Sequence, residues 1–170
     1  MPPAVRGTER LVLRQWRESD LEPFARLNAD PEVMRYFPAP LSREQSDAMV
    51  DRLSGHIEAE GWGMWALERR DTGEFIGFTG LGVPRQVLPF QPCVEVGWRL
   101  AATAWGHGFA TEAAREALRV GFDELVLTEI VSFTAVPNMR SRAVMERLGM
   151  VRDAAEDFDH PAVGVGHPVR

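Results

Sequence analysis

Two glycines separated by one residue, Gly106 and Gly108, come directly before an alanine-rich segment with helical periodicity. Backbone N–H groups in the first turn of a helix have no intrahelical partner, and the helix dipole adds partial positive charge there. Glycine also lacks the Cβ atom that would keep an anion away from these groups. The segment from Trp105 to Thr111 is therefore typical of a diphosphate-binding loop, although a tight turn without a ligand uses the same residue types.

A dinucleotide-binding fingerprint is the obvious alternative for two such glycines, and this sequence fits it poorly. Thr111 occupies the third glycine position of that fingerprint. Five residues, Ala101 to Trp105, separate the glycines from the preceding strand, whereas the glycines of a Rossmann turn follow their strand at once. Glu129 lies at a suitable distance downstream, but it begins the next predicted strand instead of ending it. The sequence therefore disfavours a dinucleotide site.

Periodicity and capping signals predict the elements that must position this loop. In chain order these are a strand at 11–16, a helix capped near Ser19 and Asp20, a helix between Ser42 and Gly61, a hairpin of strands at 62–68 and 74–81, a strand at 94–100, a helix from about 110 to 122, a strand at 130–136, a helix from 138 to 148 and a short strand near Met150. This order predicts a mixed α/β fold whose sheet is partly antiparallel and partly parallel.

The composition of the 170-residue chain excludes several classes of function. With 45% hydrophobic and 26% charged residues, it is typical of one globular domain spanning residues 1–170. All 19 basic residues are arginine, which excludes Schiff-base chemistry, pyridoxal phosphate anchoring and the Walker phosphate loop. A net charge of −6 disfavours nucleic-acid binding, and the single Cys93 excludes an internal disulfide and a cysteine-cluster metal site. No apolar run approaches the roughly 18 residues of a membrane span, and no signal-peptide pattern is present, so we expect a cytoplasmic protein.

Three motifs follow one another along the chain. Residues 105–110 (WGHGFA) match the pattern Arg/Gln-x-x-Gly-x-Gly/Ala with Trp at the first position, and residues 138–142 (NMRSR) with 146–150 (ERLGM) match Asn-x-x-Ser…Glu-x-Leu-Gly-Phe. Residues 74–77 (EFIG) with 80–81 (GL) match a hairpin signature. On these motifs the chain resembles, over almost its full length, the GNAT superfamily of acyl-CoA-dependent N-acetyltransferases in its RimJ/RimL ribosomal-protein branch.

The resemblance implies a GNAT fold of α/β (α+β) class, with a mixed central sheet splayed at the cofactor cleft and helices on both faces. It implies that acetyl-CoA lies where the strand ending at Leu100 diverges from the strand at Ile130. Backbone groups of Trp98 and Leu100 would bind the pantetheine arm as a neighbouring strand does. Asn138 would hydrogen-bond the cofactor, although it is equally placed to cap the helix that follows Pro137. The amides expected to hold the pyrophosphate belong to His107, Gly108, Phe109, Ala110 and Thr111.

The implied reaction needs a neutral amine, and an alkylammonium of pKa near 10.4 is neutral only about one time in 10³ at pH 7. A base is therefore useful. Glu95, on the strand that would bear the acetyl group, is the first candidate and could act through a water; the alternative is an exposed strand residue. His56 and His107 are weaker candidates, because the first lies on the apolar face of a helix and the second lies within the phosphate loop.

The leaving group of this reaction is a thiolate whose conjugate thiol has a pKa near the 8.5 of cysteine, so it can depart with little help from a proton donor. Many GNAT members place a tyrosine acid seven residues after the motif asparagine, where this chain has Met145. The branch resemblance suggests Ser141 or water instead, although Ser141 can equally serve the first turn of its helix. Cys93 is not expected to be a nucleophile, because nothing nearby in the sequence offers a base.

The chain departs from the family at its end. The family fold closes with a strand inserted between the strand at Ile130 and the short strand near Met150, whereas this chain stops at Val169 and Arg170, about where that strand should begin. Unpaired N–H and C=O groups need cover. We therefore expect a truncated chain, a strand supplied by a neighbouring chain, or a rebuilt edge.

The resemblance thus predicts an enzyme that moves an acetyl group from acetyl-CoA to a primary amine by direct attack in a ternary complex, without a metal. The acceptor stays open between the α-amine of a protein N-terminus and a small-molecule amine such as an amino acid, a polyamine or an aminoglycoside. Neither nucleic acid nor membrane is an expected partner, and a homodimer is one candidate assembly. The alternative is a non-catalytic acyl-CoA-binding sensor, which Met145 at the usual acid position favours.

Overall fold

The computed structural model describes residues 5–162 and 168–169 of the chain. Its strands are β1 (Arg6–Gly7), β2 (Leu11–Arg14), β3 (Met64–Arg69), β4 (Phe75–Gly82), β5 (Glu95–Leu100), β6 (Phe158–Asp159) and β7 (Pro168–Val169). Its helices are α1 (Leu21–Ala29), α2 (Arg43–Glu60), α3 (Phe109–Arg119) and α4 (Met139–Arg147). A π-helical turn at Val120–Glu124 extends α3. The predicted helices and the predicted β3–β4 hairpin are confirmed.

Local signals explain where the longest helix begins and ends. The Ser42 hydroxyl accepts a hydrogen bond from the Gln45 N–H, and the Gln45 side chain accepts one from the Ser42 N–H, which forms a capping box at the start of α2. The same helix ends at Gly61, the predicted stop. These short-range contacts account for the accurate prediction of α2.

Five strands form one sheet in the order β1-β2-β3-β4-β5, and every pairing in it is antiparallel. The predicted strand at 130–136 is wrong as a regular strand. The parallel contact that the structure shows is a bridge between Glu95 and Val131. Beyond this bridge the Val96 carbonyl, which would accept the amide of the next parallel rung, instead accepts a hydrogen bond from the Ser132 hydroxyl at 2.9 Å. The two segments therefore diverge after Val96.

The predicted strand near Met150 is also wrong. The Met150 N–H donates to the Met145 carbonyl at 3.0 Å, and the Gly149 N–H donates to the Glu146 carbonyl, so both groups close the end of α4. A Met150 amide used in this way is not available to a sheet. Strand pairing near the end of the chain occurs instead between β6 and β7, in a separate two-stranded sheet. Residues 163–167 and 170 lie outside the described residues, so the expected absence of the family's last strand stays a prediction.

Helices cover both faces of the five-stranded sheet. Phe78 of β4 packs its ring against Phe24 of α1, with ring centroids 5.8 Å apart. On the other face, a Cβ atom at Gly121, just after α3, would lie 3.2 Å from Leu81 Cδ1 and only 2.4 Å from Ile130 Cδ1. Small residues thus let α3 approach the sheet closely, and Ala113 is fully buried there. This close packing places the N-terminus of α3 beside the end of β5.

Candidate active site

A cavity of about 1780 Å³ runs along β5, between α3 and α4 on one side and α2 with its flanking loops on the other. Single small-molecule sites usually measure about 300–1,000 Å³, so this cavity has room for two substrates. Nine of the predicted site residues line it: Glu95, Trp98, Leu100, Gly108, Phe109, Ala110, Thr111, Asn138 and Ser141. The side chain of His107 instead stacks on the Phe109 ring, with centroids 5.5 Å apart, and His107 does not line the cavity.

The edge of β5 offers backbone groups to the cavity. The Val96 N–H points away from β4 and donates to the Val131 carbonyl at 2.8 Å. Residues two apart in a strand direct their backbone groups to the same edge, so Trp98 and Leu100 face this edge too, beyond the point where pairing stops. The Leu100 carbonyl accepts a hydrogen bond from Trp105 Nε1 at 3.0 Å. The Trp98 N–H and C=O therefore face the open edge, where a strand-like ligand could pair with them.

The N-terminus of α3 is suited to an anion. Gly108 takes the N-cap position in the left-handed region, with φ of 79°, and no side chain caps the helix. A side chain at Gly108 would be strained and would lie 3.5 Å from Arg10 Nη2. The Thr111 hydroxyl, in the first turn, is buried and has no hydrogen-bond partner among the described residues. Uncommitted amides and an orphaned hydroxyl fit the phosphate oxygens of acetyl-CoA.

An ion pair from the turn between β1 and β2 holds this loop in place. Glu112 accepts hydrogen bonds from the Thr8 hydroxyl, the Arg10 N–H and Arg10 Nε at 2.6–2.8 Å. Burial opposes its ionisation, but these bonds hold the pKa of Glu112 below its ordinary value. Arg10 also donates to the His107 carbonyl at 2.9 Å. The loop is thus fixed to the sheet before any ligand binds.

Three side chains from β5 and the start of α4 form a hydrogen-bonded network. Asn138 caps α4, because its Oδ1 accepts from the Ser141 N–H at 3.3 Å. Its Nδ2 donates to Ser141 Oγ at 3.2 Å, and Trp98 Nε1 donates to the same oxygen at 3.3 Å. A serine hydroxyl has two acceptor sites and one proton, and both acceptor sites are used here. Ser141 therefore keeps its proton to donate into the cavity.

Glu95 lies on the opposite face of β5 from Trp98, at the residue where the parallel bridge ends. It is half-buried, and no described residue donates a hydrogen bond or forms an ion pair with its carboxylate. A Cβ atom at Gly82 would lie 3.0 Å from Met64 Cε and 4.0 Å from Glu95 Oε1, so the apolar side chain of Met64 borders the carboxylate. Burial raises the pKa of Glu95 to about 7. The exposed strand residue considered above is therefore the wrong description of Glu95.

Known proteins resemble this chain in sequence and in fold. The family described as Acetyltransferase (GNAT) domain matches residues 10–151. This chain belongs to the GNAT acetyltransferase family. YkkB, an uncharacterised protein of Bacillus subtilis (strain 168), is 33% identical over 84% of this chain and 83% of its own length. The FsC-acetyl coenzyme A-N(2)-transacetylase of Aspergillus fumigatus is 33% identical over 93% of this chain and 70% of its own. A crystal structure of an acetyltransferase from Agrobacterium tumefaciens str. C58 superposes with a TM-score of 0.82 at 26% identity, covering 99% of this chain and 94% of that one.

As a GNAT protein, the chain is an N-acetyltransferase that uses acetyl-CoA and an amine. Cys93 is unsuited to covalent catalysis, because burial and the charges of Glu95 and Glu129 raise the pKa of its thiol. His56 packs edge-on against Trp62, with ring centroids 5.0 Å apart, and its Nε2 is buried without a partner among the described residues.

One residue of this GNAT cavity escaped the sequence analysis. Arg99 shares a face of β5 with Glu95 and lines the cavity, and its guanidinium donates to Asn28 Oδ1 at 2.8 Å. The alternation of β5 could have placed Arg99 beside Glu95, but its burial depends on α1, which lies far away in the sequence.

The described residues of this GNAT chain contain no group of three or more His, Cys, Asp or Glu side chains able to hold a metal ion. None of the helices they form combines the length and the apolar character that crossing a lipid bilayer requires.

Proposed function

We propose that the chain acetylates its acceptor by direct attack in a ternary complex, with Glu95 as general base and Ser141 as proton donor to the leaving thiolate. The acceptor is a primary amine, either the α-amine of a protein N-terminus or a small-molecule amine. One observation supports this proposal most strongly. The carboxylate of Glu95 and the open backbone edge of β5, where acetyl-CoA would bind, belong to the same strand and line the same cavity.

The acetyl-CoA contacts follow from the uncommitted groups of the cavity. Amides at the start of α3, from His107 to Thr111, would hold the pyrophosphate, and the backbone of Trp98 would bind the pantetheine arm. The side chain of Asn138 already caps α4 and donates a hydrogen bond to Ser141, which favours a role for Asn138 in positioning Ser141. Acetyl-CoA supplies an activated acetyl thioester at the point where β5 and Val131 diverge.

The protons move between the named groups. Glu95, with a pKa of about 7, is ionised in about half of the molecules at neutral pH and accepts a proton from the acceptor ammonium through a water, which leaves a neutral amine. The amine nitrogen attacks the thioester carbonyl, the C–N bond forms, the C–S bond breaks, and the nitrogen releases its second proton to solvent. Ser141, which accepts hydrogen bonds from Trp98 and Asn138, donates its proton to the thiolate and regains one from solvent. The products are an N-acetyl amine and free CoA.

We also propose that the chain belongs to the RimJ/RimL branch of the family. This is supported by Trp105 at the start of the loop motif, where its Nε1 donates to the Leu100 carbonyl and its ring stacks under Arg140. The composition supports a cytoplasmic location. A non-catalytic sensor is the alternative, and Met145, apolar and buried at the usual acid position, is the observation that favours it.

Calorimetric titration with acetyl-CoA, followed by thiol-release assays on a panel of amines and peptides with free N-termini, separates these functions. We expect binding and release of one CoA for each amine acetylated. Binding without turnover on any acceptor would support the sensor and contradict the transferase mechanism. Absence of binding would contradict both.

A further inference from the structure

The side of the cavity nearest α2 carries a cluster of arginines, called here the basic end. Its members come from the α1–α2 loop, α2, the β4–β5 loop and β5, and they are Arg35, Arg52, Arg85 and Arg99. Two acidic residues, Glu32 and Glu95, line the same side. The basic end is therefore net positive in a chain whose formal net charge is −6. Such local concentration against the overall charge indicates an anionic ligand.

Arg99 is the buried member of the basic end, and it has no acidic partner among the described residues. Its Nη1 donates to Asn28, an uncharged and fully buried side chain, and its guanidinium lies 4.3 Å from the centroid of the Phe37 ring. Its Nε is buried with no hydrogen-bond partner in the described part of the chain. Burial lowers the pKa of Arg99 to about 10. A largely buried guanidinium without a counter-ion is costly, and a bound anion would remove that cost.

Arg52 and Arg85 extend this surface toward solvent. Burial and the neighbouring charge of Arg85 lower the pKa of Arg52. Within the described residues, no carboxylate lies within ion-pair distance of Arg52, Arg85 or Arg99. Arg52 lies one turn after Met49 on α2, and the Met49 sulfur contacts Arg99 Nη1 at 3.9 Å. The three arginines thus line the same side of the cavity without a carboxylate partner among the described residues.

The phosphates of acetyl-CoA do not account for the basic end, because a different set of arginines flanks the phosphate loop. Arg10 is paired with Glu112, Arg115 donates to the carbonyl of Arg147, and Arg140 stacks on Trp105. All of these lie by α3 and α4, on the other side of β5 from Arg99 and Glu95. The basic end is left for the second substrate.

We propose that the acceptor carries a carboxylate as well as the reacting amine, with the carboxylate bound by Arg99, Arg52 and Arg85 and the amine placed at Glu95. This inference rests on the proposed amine transfer and narrows its substrate class. Glu95 and Arg99 lie on one face of β5 four residues apart, so their Cα atoms are separated by about 13 Å, and one extended acceptor can reach both. Arginine forks bind carboxylates in bidentate fashion. A polyamine, which lacks an anionic group, would leave the basic end unpaired.

Matched acid and amide acceptors test this proposal on the intact protein. The first pair is 4-aminobutanoate with 4-aminobutanamide. The second pair is a tripeptide with a free N-terminus, an amidated C-terminus and glutamate at its second position, together with its glutamine counterpart. The two pairs distinguish a free amino acid from a peptide as the source of the carboxylate. We expect the acid of at least one pair to have a kcat/KM at least about tenfold higher than its amide, since charge-assisted hydrogen bonds are lost in the amide. Spermidine should be a poorer acceptor than that acid.

Variants at the basic end show where the preference originates. Arg99→Gln should raise the KM for the acid at least about tenfold while leaving the KM for the amide within about twofold. The doubly substituted Arg52→Gln, Arg85→Gln protein provides the same readout at exposed positions, should Arg99→Gln fail to fold. Arg26→Gln, an exposed arginine on α1 outside the cavity, is the matched control.

Each outcome of these assays bears on the proposal. Equal turnover of acid and amide, or a preference for spermidine, would overturn the carboxylate inference while leaving the transferase function intact. Turnover of no acceptor by a protein that binds acetyl-CoA would contradict both the inference and the transferase function. An acid preference that persists unchanged in both basic-end variants would also overturn the inference.

Discussion

Replacing Glu95 by glutamine should reduce activity and increase stability at the same time. The carboxylate is half-buried, with no hydrogen-bond donor among the described residues, and burial raises its pKa from 4.5 to about 7. That rise corresponds to a cost of up to about 3 kcal/mol for holding the ionised form in the folded protein. Glu95→Gln removes the charge and with it this cost, and it also removes the proposed base.

The sign of the pH dependence follows from the same pKa. Between the unfolded value of 4.5 and the folded value of about 7, the folded state binds more protons than the unfolded state, so the free energy of unfolding falls as pH rises. Above about pH 7 the cost is fully present. We therefore expect Glu95→Gln to be more stable than the wild type by up to about 3 kcal/mol at about pH 8, and to gain little near pH 4.5.

Urea unfolding at about pH 5 and about pH 8 measures the stability difference, and thiol-release rates from about pH 5.5 to about pH 9 measure the activity. The wild-type kcat/KM should rise with pH through a midpoint near 7, and Glu95→Gln should lose that rise together with about 10²- to 10⁴-fold in rate. The exposed Glu129→Gln is the matched control and should change neither. A Glu95→Gln protein with the wild-type rate and pH profile would show that Glu95 is not the base. No stability gain at about pH 8 would refute the burial cost.

Two further substitutions test the cofactor side of the cavity. Gly108→Val should weaken acetyl-CoA binding at least about tenfold, since the new side chain blocks the amides at the start of α3. It should also destabilise the fold by about 1–2 kcal/mol, because residue 108 has a positive φ. An unchanged Kd for acetyl-CoA, measured by calorimetry, would contradict the phosphate site. Ser141→Ala should lower kcat about tenfold with little change in the Kd of acetyl-CoA, because Ser141 donates to the leaving thiolate. Ser19→Ala, exposed and distant in sequence, is its control, and equal kcat values would remove Ser141 from the mechanism.

Elements with short-range signals were predicted well. The capping box of Ser42 and Gln45 and the stop at Gly61 define α2 within neighbouring residues, and the β3–β4 hairpin follows from alternation around a turn. The segment at 130–136 has the composition of a strand, yet it contacts β5 through a bridge at Val131 and a hydrogen bond from the Ser132 hydroxyl to the Val96 carbonyl. A side-chain hydrogen bond to a strand that is distant in the sequence leaves no local pattern.

The sequence by itself determined the order of the motifs, the glycine loop before α3 and the cap of α4 by Asn138, and through them the family. Each of these features depends on residues a few positions apart. Tertiary structure decided the chemistry of the side chains. Glu95 has its raised pKa because folding buries it, and Ser141 keeps a donor proton because Trp98 reaches it from β5. Arg99 has an uncharged partner because α1 places Asn28 beside it. Burial and hydrogen bonding are set by residues distant along the chain, so they become visible only when the chain has folded.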